Sequence, residues 1–309
     1  MSPASGSFRV PRNGPIFIEA IFERCEKLIQ YGIWDGLPMS RFRSWLANFA
    51  TREEKYFAAC VLDSLIYRSN AQTVALTNHL FQRLLPDLTR LDPPRVSPNW
   101  IDQLQKGSPN CDPLVRIIPV VRRDDPPTKS GYIVARLLKQ ELRINERWIV
   151  QPDSIADHLS KGTAFCLFVD DFLGTGRQFE DFVNTLPMDR SFSTVYAAYT
   201  PLVAYKQGLV DLRDKFPNLR MMAVETLDDS HRLFHAESHC FDDGVNAAEI
   251  AKTFYYDFLE TKGIRIDPAL ACGYGNLQLA YAFKHGIPDN NLPILWWSST
   301  SGWNPLFVR

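Results

Sequence analysis

The chain has 309 residues, 45% of them apolar and 22% charged, with a formal net charge of -1. That length can bury a core without disulfide or metal staples, and the near-neutral charge argues against a broad electrostatic grip on nucleic acid while leaving room for a local basic patch. Six cysteines are scattered without a C-x-x-C pair, no basic-then-apolar leader opens the sequence, and the apolar runs are too short for a bilayer, so a soluble cytoplasmic protein without membrane contact is expected.

In chain order, residues 1–14 are rich in Ser, Pro and Gly and read as a loose tail. Residues 16–91 carry a helical period: apolar positions recur from Ile16 to Ile29, a second helix is expected over 39–50, and Thr51-Arg-Glu-Glu54 reads as a capping box opening a third through Leu65. A fourth is expected over 72–85, and no strand in this region. Five prolines between 92 and 113 mark a linker or wrapping segment. Beyond it the texture alternates. Strands are expected over 114–121, 147–150, 165–169, 194–199 and 219–225, and helices over 131–142, 176–186 and 202–216. That alternation implies a mostly parallel sheet covered by helices on both faces. The expected division is a helical N-terminal region, 1–100, followed by an α/β domain, 101–309.

One string carries chemistry. Five apolar residues, 165–169, run into Asp170 and Asp171, then Phe172, Leu173 and the loop Gly174-Thr175-Gly176-Arg177-Gln178, with a helix following. A buried parallel strand ends at the carboxyl edge of its sheet, where open α/β folds bind ligands. Adjacent carboxylates there repel each other unless a ligand meets them, and carboxylates accept well from sugar hydroxyls. The glycines let the loop turn tightly, and the helix adds its positive N-terminal end, which suits a phosphate. A diol clamp beside a phosphate cradle fits ribose 5-phosphate; without a ligand the same string is a strand–turn–helix with an acidic edge.

The string resembles the phosphoribosyl-pyrophosphate signature of type I phosphoribosyltransferases. The resemblance implies that Asp170 and Asp171 are the catalytic pair holding the ribose hydroxyls. It implies that Gly174, Thr175, Gly176, Arg177 and Gln178 hold the 5-phosphate, Thr175 through its hydroxyl. The family's usual Thr or Ser at the loop's end is Gln178 here, and Arg177 offers a charged contact instead. In these enzymes the loop after the first core strand meets pyrophosphate. Lys129, Ser130 and Gly131 stand at that place, although Ser130 could equally cap the following helix and Lys129 be a solvated charge. The implied cofactor is Mg2+, held through the ligand's phosphates rather than by a protein metal site. The family also often closes its site with a mobile hairpin. Here the gap from Gln151 to Thr163 is short, and residues 153–159 within it read as a helix instead.

Two further segments stand out. His231, His235 and His239 recur at steps of four beside Cys240, Asp242 and Asp243. On a helix they would share a face able to take zinc, though a polar surface helix is the reading preferred. Asp228 and Asp229 could face the site or cap that helix. Gly273-Tyr-Gly-Asn-Leu-Gln278 and the segment from Pro288 to Trp297 read as turn, helix, turn and short apolar strand. With the helical part carrying Glu53-Glu-Lys-Tyr56 and Leu65-Ile-Tyr-Arg-Ser69, the Thr128-Lys-Ser-Gly131 loop and the Asn290-to-Trp296 tail, they make the chain similar to the phosphoribosyltransferase-like effectors of prokaryotic conflict and anti-phage systems. That likeness implies a phosphoribosyltransferase-like enzyme acting on phosphoribosyl pyrophosphate or a related nucleotide, with a defence-system protein partner. The alternatives are a nucleotide-sensing module without turnover and a structural subunit with a relict site.

Overall fold

The computed structural model describes residues 7–106, 112–126, 129–241, 243–298 and 302–308. Residues 1–6 of the expected tail, and Cys111, Thr128 and Asp242, lie outside the described residues. In chain order the elements are α1 Gly14–Gln30, α2 Met39–Leu46, α3 Arg52–Asp63, β1 Ile66–Arg68, α4 Asn70–His79, α5 Leu85–Leu91, α6 Trp100–Lys106, β2 Val115–Pro119 and α7 Gly131–Gln140. They continue with α8 Ile155–Ser160, β3 Phe165–Leu173, α9 Arg177–Thr185, β4 Tyr196–Tyr205, α10 Lys206–Lys215, β5 Leu219–Met221, β6 Glu225–Leu227, α11 Ala248–Thr261 and β7 Tyr281–Phe283. No helix among the described residues is long and apolar enough to cross a membrane.

Two units divide the chain: residues 1–70 with 228–309, and residues 71–227. The division expected at residue 100 falls inside the second unit. In the first unit, Thr51 caps α3 as its sequence implies. The Glu54 N–H donates to Thr51 Oγ1 at 3.1 Å, and the Thr51 N–H returns a bond to Glu54 Oε2 at 3.3 Å. Phe57 on α3 then sits among Phe234, Phe241, Tyr255 and Phe258 at ring spacings of 5.6 to 6.3 Å typical of aromatic clusters. The absence of strand expected in the helical region is corrected here. β1 pairs in parallel with β7, Ile66 facing Tyr281 and Arg68 facing Phe283. Three residues whose partner lies more than two hundred positions away leave no periodic signal.

The second unit holds a five-stranded, wholly parallel sheet in the order β2-β3-β4-β5, with β6 pairing a later stretch of β4. The strand expected over 147–150 contracts to a 3-10 turn and one parallel bridge, Ile149 to Ile117, on the outer side of β2. β4 runs on through Tyr205, where a helix was expected from residue 202. Pro201 looks like a break, but it sits opposite Asp170, and Val203 to Tyr205 pair with β6. The single strand expected over 219–225 divides into β5 and β6. The proline-rich segment contains α6, whose Trp100 meets Phe165 edge-on at 5.4 Å.

This order fixes where a ligand can enter. From β2 the chain crosses to Ile149 on one side, and from β3 it proceeds to β4 on the other. The strand order therefore reverses between β2 and β3, and their carboxyl ends open a crevice at a topological switch point. The stretches 120–126 and 174–176 both leave from that edge.

Candidate phosphoribosyl site

β3 extends through Leu173, so Asp170 and Asp171 lie within the paired strand rather than just beyond it. Successive side chains of a strand point to opposite faces. Phe168 packs against Phe179 and Phe182 of α9, and Asp170 shares that face. Phe165 packs against Trp100, and Asp171 shares that one. The two carboxylates are thus neighbours in sequence with different surroundings.

Asp170 is almost wholly enclosed, at 1% exposure. Its Oδ1 accepts from the Asp171 N–H at 3.0 Å, and its Oδ2 receives long bonds from the Tyr199 hydroxyl at 3.4 Å and Gln178 Nε2 at 3.5 Å. Burial, and then the adjacent Asp171 charge, push its carboxyl well above the ordinary 3.8, with Lys129 opposing. Burial and the Asp170 charge likewise raise the Tyr199 phenol, whose ring stacks on Phe179 at 3.8 Å. Asp171 instead accepts at Oδ1 from the Ser130 hydroxyl at 2.8 Å. That bond joins two candidate segments far apart in sequence. The Ser130 side chain makes no capping bond to α7.

The loop before α7 is held shut by Asp125. It accepts from the Arg122 N–H at 2.8 Å and from Arg122 Nη2 at 3.1 Å. Burial would raise its pKa, but these bonds and the Lys129 charge outweigh that and lower it. Lys129 stands just before α7, and its charge acts on both Asp125 and Asp170. A side chain on Gly131 would meet the Val120 carbonyl oxygen at 3.1 Å, so the helix starts hard against the strand.

Across the crevice, Gly174, Thr175 and Gly176 turn from β3 into α9. Gly176 is the N-cap with φ +86°, a left-handed conformation that glycine adopts without strain. No side chain caps α9, and the N–H groups of its first turn point out of the helix end. Arg177 is exposed and lies 3.9 Å from Asp181. Gln178 reaches back toward Asp170, leaving its backbone N–H in the donor crown.

A family model, PRTase-CE, matches residues 42–309, from within α2 to the end of the chain. The chain belongs to the PRTase-CE family. PRTase-CE proteins are phosphoribosyltransferase-like conflict effectors, and the match takes in both the acidic strand and the loop before α7. Among solved structures, the chain is similar to the crystal structure of orotate phosphoribosyltransferase from Aeropyrum pernix. The two are 17% identical over 51% of this chain and 71% of that chain, with a TM-score of 0.28, too low to carry a comparison of the folds. No curated protein matches the chain.

The other candidate segments resolve differently. The expected histidine helix does not form: a 3-10 turn covers Asp229–His231, and the described residues from there to α11 are irregular. Asp228 caps that turn, accepting from the Ser230 N–H at 3.1 Å and lying 2.9 Å from His231 Nδ1. The described residues contain no group of three metal-ligating side chains. Local capping by Asp228 competes successfully with the helix that four-residue spacing suggested. In the 273–278 segment a 3-10 turn, Tyr274–Asn276, stands where a helix was read, and the apolar strand comes earlier, at β7. Sequence reading missed Tyr199, Asp125 and the glycine at 208 described below. Tyr199 alone carried a signal, as the last residue of an expected strand facing the acidic pair.

Proposed function

We propose that residues 71–227 bind phosphoribosyl pyrophosphate, or a nucleotide sharing its phosphorylated ribose, and transfer or hydrolyse the phosphoribosyl group. The observation that carries this reading is the Ser130–Asp171 bond, which brings the loop after β2 and the acidic end of β3 together at the switch point. Asp171 meets the ribose hydroxyls. Asp170, buried with its carboxyl pushed up by burial and by the Asp171 charge, sets Asp171 in place from behind. Gly174, Thr175, Gly176, Arg177 and Gln178 hold the 5-phosphate with backbone N–H groups, the Thr175 hydroxyl and the Arg177 charge. Lys129, Ser130 and Gly131 hold the pyrophosphate.

In the reaction, the bond from the anomeric carbon to the pyrophosphate oxygen breaks and pyrophosphate leaves with the electron pair. A base nitrogen or water forms the new bond and releases a proton. Lys129 and the donor crown steady the departing charge. The Asp171 carboxylate beside the Ser130 hydroxyl suits a Mg2+ ion that takes most of its oxygens from ligand and water. When bound, that ion would neutralise phosphate charge. We place the protein in the cytoplasm and in anti-phage defence beside a protein partner, on the strength of the family's conflict-effector designation.

A second reading, nucleotide sensing without turnover, is favoured by one observation. The segment between Ile149 and β3 is a 3-10 turn and α8, with no hairpin to cover the site. Calorimetry with phosphoribosyl pyrophosphate and Mg2+, alongside pyrophosphate release in the presence of candidate bases, separates the two. Binding with release supports transfer or hydrolysis, whereas binding without release supports sensing. Asp171→Asn should weaken binding about tenfold or more, the loss of roughly one charge-assisted hydrogen bond, while Asp170→Asn should largely retain it. Equal losses in both variants would refute the assigned roles, and no binding by the wild type would refute the site.

A further inference from the structure

The fold reaches the 174–176 loop from below through α10, an element outside the acidic string. A side chain on Gly208, the third residue of α10, would overlap the Gly174 carbonyl oxygen. It would lie 3.1 Å from the carbonyl carbon and 3.3 Å from the Thr175 carbonyl carbon. The oxygen is the nearest atom, so the Gly174 carbonyl points at the helix. One turn on, Leu212 underlies Gly176, where a side chain would come within 2.8 Å of its Cγ. α10 therefore sets the height of the whole loop.

The consequence follows from the geometry of one peptide. A trans peptide is planar, with its C=O and N–H directed oppositely. With the Gly174 oxygen turned into α10, the N–H of the same peptide, which belongs to Thr175, is turned away from the helix and toward the crevice. No described backbone carbonyl accepts from it. Glycine is a poor helix former compared with alanine, so helix stability alone does not call for it at position 208.

We propose that Gly208 is a positioning residue for the phosphate loop: its missing side chain lets the Gly174 carbonyl seat against α10, which aims the Thr175 N–H at the 5-phosphate. This rests on the phosphoribosyl reading above. Gly208 itself touches no ligand. An added methyl would lift the loop and rotate this peptide, removing one donor from the anion without altering Asp171 or the loop before α7.

The test is titration of wild type and Gly208→Ala with ribose 5-phosphate and, separately, with pyrophosphate, which the reading seats at Lys129, Ser130 and Gly131. The wild type binds both. Gly208→Ala should lose about tenfold or more for ribose 5-phosphate and hold its affinity for pyrophosphate. Unchanged binding of both ligands by the variant, or equal loss of both, overturns the assignment. Should the variant fail to fold, the amide spectrum of the wild type decides. The Thr175 N–H signal should be among the largest movers on adding ribose 5-phosphate, and a stationary signal overturns the proposal. A wild type that binds neither ligand sinks the phosphoribosyl reading and this inference with it, whereas a binding wild type with an unaffected variant sinks this inference alone.

Discussion

Two aspartates adjacent in sequence do different work because a strand alternates its faces. Asp170 is enclosed against Tyr199 and Asp171 meets Ser130. A buried acid with a raised pKa keeps its proton in the folded protein where the unfolded chain has already lost it. Stability therefore falls as pH rises from the ordinary value of 3.8 toward the raised one. Asp170→Asn cannot ionise and should lack this fall. Urea titrations from about pH 4 upward should show the wild-type midpoint declining relative to the variant's; parallel profiles would show that Asp170 is charged in the fold. The sequence placed both residues just past a strand that runs on through them to Leu173. It could not show the different partners of these two buried carboxylates, because Tyr199 and Ser130 lie tens of residues away on either side.

Elements were most legible where local chemistry governs them. The Thr51 and Glu54 capping box was read from four residues and is present with both bonds. Thr51→Ala should cost about 1 kcal/mol, measurable as a lower urea midpoint with unchanged slope; an unaffected midpoint would mean that tertiary packing alone sets the start of α3. Elements were misread where distant pairing overrides local signal. Residues 202–205 look helical beyond Pro201, yet pairing with β3 and β6 holds them extended. Conversely, residues 229–239 have helical histidine spacing, but Asp228 closes a tight turn.

At the scale of the whole molecule, the chain returns on itself. Residues 1–70 and 228–309 form one unit, with the sheet unit inserted between them in sequence. Phe57 illustrates the dependence: besides Phe8, its aromatic neighbours, Phe234, Phe241, Phe254, Tyr255 and Phe258, come from the far end of the chain. A fragment of residues 1–70 should therefore show no cooperative thermal transition by circular dichroism, and gain one when mixed with residues 228–309. A sharp transition in the first fragment alone would show that its helices form their own core.

The sequence by itself determined the α/β class, the strand–loop–helix that carries the acidic pair and glycine loop, and the resemblance to phosphoribosyltransferase-like conflict effectors. Each is encoded in runs of ten to twenty consecutive residues, by apolar patterning and by residue types that few other structures need. Only the tertiary structure decided that both aspartates are buried with different partners, that Ser130 bonds Asp171, that Gly208 underlies the loop, and that the two ends of the chain share a core. Those facts depend on which side chains meet across separations of tens to hundreds of residues, and packing, not local propensity, makes that choice.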